Sequence, residues 1–118
     1  MVQVNAKENS CTVKRICEVK IAGQLWTIET VNSHDASLMA NGESCFGTAW
    51  PAKMKIFISN ELSGDRLKRT IKHELTHAYI NATQCSRNET FSEEELCDFI
   101  AIYGEAICDD TERVFETL

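Results

Sequence analysis

Residues 73–77 read HELTH. On a helix each residue advances about 100° around the axis, so His73 and His77 lie one turn apart on nearly one face and both imidazoles can reach a single ion. Glu74 stands beside them, placed to hold a water next to that ion without ligating it. Zinc suits this donor set, because it accepts nitrogen and oxygen ligands in tetrahedral geometry. Water on zinc ionises near neutrality, and an adjacent carboxylate can take its proton and later hand it to a leaving amine. The chemistry this spacing points to is hydrolysis, with Glu74 as general base.

Two histidines alone hold zinc weakly, and a catalytic site takes a third protein ligand. The segment SEEELCDF, residues 92–99, offers carboxylates. Glu94 and Asp98 lie one turn apart and share a helix face. Glu94 is the expected third ligand, and Asp98 is expected to accept from the second N–H of a ligating histidine, fixing its tautomer. Glu95 is the rival ligand, although it also completes a capping box with Ser92. His34 lies in a polar loop and is read chiefly as a surface residue, with a place at the rim of the site as the alternative. Tyr79 and Tyr103 could each aim a phenol at an oxyanion, but both fit helix packing better.

These residues need elements to hold them. EVKIAGQLWTIETV, residues 18–31, alternates on both sides of Ala22-Gly23-Gln24 and predicts a hairpin. Residues 45–50, CFGTAW, and 53–59, KMKIFIS, predict a second strand pair turning at Pro51-Ala52, with Met54, Ile56 and Ile58 toward one face. Gly47 inside a strand marks a bulge or a close backbone approach. A helix is expected from about Ser63, with Leu67, Ile71, Leu75, Ala78 and Ala82 as its core stripe. Residues 81–90 read as a polar connector. A second helix opens at Ser92 and carries Leu96, Phe99, Ile100, Tyr103 and Ile107. Its tail, DDTERVFETL, is expected to be short, helical or frayed. The predicted fold is α+β: a small antiparallel sheet of two hairpin-like strand pairs, then the HExxH helix, then a glutamate-bearing helix.

The chain has 118 residues, enough for one domain, 1–118, and for a core that needs no disulfide staples. Six cysteines at irregular spacing, with no C-x-x-C pair and no leader-like N-terminus, read as reduced thiols in the cytoplasm rather than disulfides or a zinc knot. Residues 1–87 carry 11 Lys+Arg against 8 Asp+Glu, and residues 88–118 carry 1 against 10. The basic residues form no dense run, so an acidic helix packed beside a basic half is preferred to a nucleic-acid surface. No apolar run approaches membrane-spanning length.

RTIKHELTHAYI and FSEEELCDFIAIYGEAI resemble the two signature helices of the ImmA/IrrE-type zinc metallopeptidases, in particular the small forms of phages and mobile elements. The upstream strands resemble the pair that precedes the zinc helix there, so the resemblance covers roughly residues 18–108. It implies a minimal zincin fold, a zinc ion held by His73, His77 and Glu94, Glu74 as catalytic base, and Asp98 at the family's Asp/Asn position. It also implies a protein substrate, such as a repressor of a mobile element, laid as an extended strand along the CFGTAW edge. Where larger relatives carry a Leu-Leu-Met-Pro-like segment, this chain reads AIYGEAI, and the helix-turn-helix domain often fused to such proteases is not expected within these 118 residues. Two other readings compete. An SprT-like protease acting on DNA-bound proteins would carry a third histidine soon after His77, and none follows. A non-proteolytic zinc-binding module would have no use for Glu74.

Overall fold

The computed structural model describes residues 15–83 and 91–118. Cys11, Cys85 and most of the expected connector lie outside them. The elements are β1 (Ile16–Ile21), β2 (Gln24–Val31), β3 (Met39–Ala40), β4 (Glu43–Ser44), β5 (Gly47–Trp50), β6 (Lys55–Ser59), α1 (Gly64–Thr83) and α2 (Glu93–Thr117). The main sheet has the order β1-β2-β6-β5, and β3 and β4 form a separate two-stranded ribbon. This is an α+β fold with a mostly antiparallel sheet and two helices.

The first hairpin follows from its turn. Ala22 and Gly23 both take positive φ, 50° and 82°, the backbone that matches the twist of two antiparallel strands. The second strand pair also forms, with Thr48 opposite Phe57 and Ala49 opposite Ile56. One expectation needs correction. The sheet is not wholly antiparallel, because β6 inserts between β2 and β5 and runs parallel to β2, with Ile28 opposite Ile56 and Thr30 opposite Ile58. Alternation fixes only which face is buried, and the parallel register meets that demand by putting Trp26, Ile28, Ile56 and Ile58 on one side, where the helices bury them. Met54 does not join that face. It is the left-handed residue that closes the short 3₁₀ turn Pro51–Lys53.

On the other side of the sheet, a 3₁₀ turn at Ala36–Leu38, capped by Asp35, buries Leu38. The Ser37 carbonyl accepts from the Thr48 hydroxyl at 2.6 Å and from Trp50 Nε1 at 3.2 Å, which pins β5 from outside. From inside, β5 rests on α1. A Cβ added to Gly47 would stand 2.8 Å from Thr70 Cγ2 and 3.1 Å from Glu74 Cγ, so the glycine is what allows strand and helix to touch.

Helix α1 buries Ile71, Leu75 and Ala78 as expected, and Tyr79 with them. Helix α2 begins with the capping box: Ser92 accepts from the Glu95 amide at 3.1 Å and Glu95 accepts from the Ser92 amide at 2.9 Å. Its buried stripe is Phe99, Ile107, Thr111 and Val114. Leu96 and Ile100, which the same helix carries, are about half exposed. The helix is also longer than expected, and its tail is ordered because Val114 is fully buried and Lys68 of α1 pairs with Glu112.

Candidate metal centre

His73, Glu74 and His77 project from the middle of α1 into a cleft of about 880 Å³ between that helix and β5. The imidazole rings lie edge to face with centroids 4.9 Å apart. The three side chains differ sharply in burial. His73 is 66% exposed, while Glu74 is 8% exposed and its Oε2 sits 4.0 Å from His73 Nε2. The Glu74 side chain is therefore covered, with its Cγ close to Gly47 of β5, yet it lines the same cleft as both histidines. Burial pushes its pKa from the ordinary 4.5 up to about 7. Burial lowers the pKa of His77, and the neighbouring His73 lowers it further. Both effects favour neutral imidazole, the form that donates to a metal.

The donor set fits zinc in part. His73 and His77 supply two nitrogen donors one turn apart, and Glu74 lies beside them. Among the described residues, no group of three or more His, Cys, Asp or Glu side chains is placed to hold a metal ion. Glu94 and Asp98 share a helix face, but both are exposed and neither lines the cleft. Helical phase explains this: relative to buried Phe99, Asp98 is rotated by about 100° and Glu94 by about 140° around α2. The contact face of that helix is set by Phe99 stacking on Phe91 and Tyr103, and that leaves the two carboxylates outward. Glu95 is closer in phase, about 40° from Phe99, but its carboxylate is held by Ser92, whose amide holds its pKa below the usual range. The expected hydrogen bond from a histidine to Asp98 is therefore not formed here.

No family model, curated protein or solved structure matches this chain. The site stands on its own geometry.

The remaining candidates fall away from the cleft. His34 is exposed in a turn, where its amide donates to Asn32 Oδ1, and it does not line the site. Tyr103 packs between Tyr79 and Phe99. Tyr79 donates to Asp110 Oδ2 at 2.5 Å, so its phenol ties α1 to α2; burial, and then that bond, raise its pKa. Both tyrosines are packing residues. Conversely, Cys45, Ile80, Asn81 and Phe91 line the cleft and were not singled out from sequence as site residues. Ile80 and Asn81 were findable, since they lie three and four residues past His77 on the same helix. Cys45 and Phe91 arrive from segments whose placement only the tertiary fold determines.

Proposed function

We propose that this chain is a zinc-dependent endopeptidase that hydrolyses a peptide bond in a specific protein substrate. The observation that carries the reading is the placement of Glu74: a carboxylate kept from bulk water, next to an exposed histidine pair, in a cleft bordered by a sheet edge. A purely structural metal site would leave Glu74 without a task, and burying a carboxylate there would cost stability with no return.

His73 and His77 are the residues that would hold the metal. Zinc supplies Lewis acidity, which makes water available as a nucleophile near neutral pH. Glu74 acts as general base, holding the proton on its carboxylate and delivering it to the nitrogen of the leaving amine. Its desolvated setting suits that task, because a base that ionises near neutrality both accepts and returns a proton readily. Strand β5 has no partner on its outer side among the described residues. An extended substrate segment can pair with that edge and lie across the histidines, which favours an unfolded or flexible stretch of protein. A repressor of a mobile element is the substrate class that the family resemblance suggests.

For the third ligand we keep Glu94. It opens α2, and ligation through it requires the first turn of that helix to rotate toward α1, against the Ser92–Glu95 capping box. Zinc content of purified Glu94→Ala and Glu95→Ala separates the two carboxylates: loss in the first alone supports Glu94, and loss in the second alone assigns Glu95. The central test compares wild type with Glu74→Gln on a repressor encoded beside the protein. The variant should keep its zinc and lose about 10²–10⁴-fold in rate, the usual size of general-base help. Unchanged turnover would remove Glu74 from the mechanism.

A further inference from the structure

Beyond His77 the cleft changes character. Ile80 and Asn81 continue the α1 wall, Ala49 of β5 and Pro51 of the turn after it line the cleft too, and Phe91 joins them from the segment before α2. Ile80 and Phe91 are partly buried and packed on the hydrophobic core, and Phe91 is steadied by Phe99 at a centroid distance of 5.7 Å. Among the described residues, no lysine or arginine lines the cleft, and its one acidic side chain is Glu74. A wall of aliphatic and aromatic carbon beside a reaction centre favours a side chain that loses little on leaving water. It disfavours an acidic or basic one, which would be stripped of solvent against carbon, with no partner of opposite charge at that end among the described residues. Asn81 stands exposed at the rim and offers both a donor and an acceptor, the two functions that a peptide unit can meet.

We propose that this end of the cleft is a subsite for an apolar side chain, from leucine, isoleucine, methionine or phenylalanine, on one of the two substrate residues flanking the scissile bond. Ile80 and Phe91 are its specificity-determining residues. The proposal rests on the peptidase reading and narrows it to a substrate class: a flexible protein segment with a large apolar residue at the cut. Binding energy gained by that side chain also fixes the register of the peptide along β5, so that one bond comes to lie over the histidines.

The test digests a peptide library of known sequences with the zinc-loaded protein and maps every cut by mass spectrometry. Wild type should enrich large apolar residues at one flanking position by at least about tenfold over charged ones, the scale at which a hydrophobic pocket discriminates. Ile80→Trp fills the subsite and should move the preference toward alanine and glycine. Ile80→Ala, which adds no bulk, should weaken the preference for leucine and serves if the tryptophan variant does not fold. Cutting without apolar enrichment, or an enrichment that both folded variants leave unchanged, overturns the subsite while the peptidase reading stands. Zinc-loaded wild type that cuts nothing overturns the peptidase reading. The subsite is then read by calorimetry with leucine and glycine hydroxamates, which anchor on the metal: tighter binding of the leucine compound, lost in Ile80→Trp, supports it. Equal affinity, or no zinc to anchor on, overturns it.

Discussion

At the scale of single residues, Glu74 is the one whose environment most departs from its chemistry. A carboxylate with an ordinary pKa of 4.5 that is raised to about 7 by burial binds more protons in the folded chain than in the unfolded one. The sign follows: without metal, the stability of the fold falls as pH rises from 4.5 toward 7 and then levels. Each pKa unit is worth about 1.4 kcal/mol, so the full effect is at most about 3.5 kcal/mol. Glu74→Gln should remove this slope and make the metal-free protein more stable than wild type above neutral pH, as measured by urea unfolding at pH 5 and pH 8 in chelator. Parallel curves for the two proteins would show that the carboxylate is solvated. Asp98 gives the opposite kind of expectation. Because it is exposed and turned about 100° from the contact face of α2, Asp98→Ala should leave the chelator midpoint for zinc release unchanged. A tenfold loss of affinity would restore the histidine contact expected from its spacing to Glu94.

At the scale of elements, the position of the cleft depends on how closely β5 approaches α1. Gly47 sets that distance, and Thr70 has little freedom to give way because its hydroxyl donates to the Arg66 carbonyl at 2.8 Å. Gly47→Ala should cost about 1–3 kcal/mol, the usual range for overpacking, and should raise the exposure of Glu74. Thermal unfolding checks the first outcome, and a Glu74 pKa moving down toward 4.5 by carboxyl-carbon NMR checks the second. An unchanged melting temperature would mean that the strand yields freely. Much of this arrangement was legible from sequence. The hairpin at Ala22-Gly23, the capping box at Ser92 and the histidine pair all depend on spacing within one element, where local geometry decides. The phase of α2 was not legible. Leu96, Ile100, Phe99 and Tyr103 fit more than one apolar stripe, and the aromatic stack of Phe91, Phe99 and Tyr103 selected the stripe that leaves Glu94 outward. The parallel pairing of β6 was equally hidden, because strand alternation shows which face is buried and says nothing of which neighbour a strand will take.

At the scale of the whole molecule, the lopsided charge of the chain resolves into the packing of its two halves. Helix α2 carries nine of the 18 acidic residues and docks through Lys68–Glu112 and through the Arg15 guanidinium, which donates to the Leu118 carbonyl at 2.8 Å. Among the described residues, no helix is long and apolar enough to cross a membrane. The strand order has a consequence in time. Hairpin β1–β2 closes through a two-residue turn and can form alone, within microseconds. Strand β6 must wait until residues 32–54 have looped across the sheet, and it then takes a central place between β2 and β5. Loop closure of that kind is costly before any contact rewards it, so the parallel pairing should form late. Gly23→Ala, strained at φ 82°, should therefore slow refolding, whereas Ile58→Val should chiefly speed unfolding. Stopped-flow chevrons decide the matter, and equal slowing of refolding by the two variants would place β6 in the nucleus instead. Until β6 arrives, β2 offers an open strand edge beside uncovered Trp26 and Ile28, and that is the interval in which a newly made chain is most exposed to pairing with another.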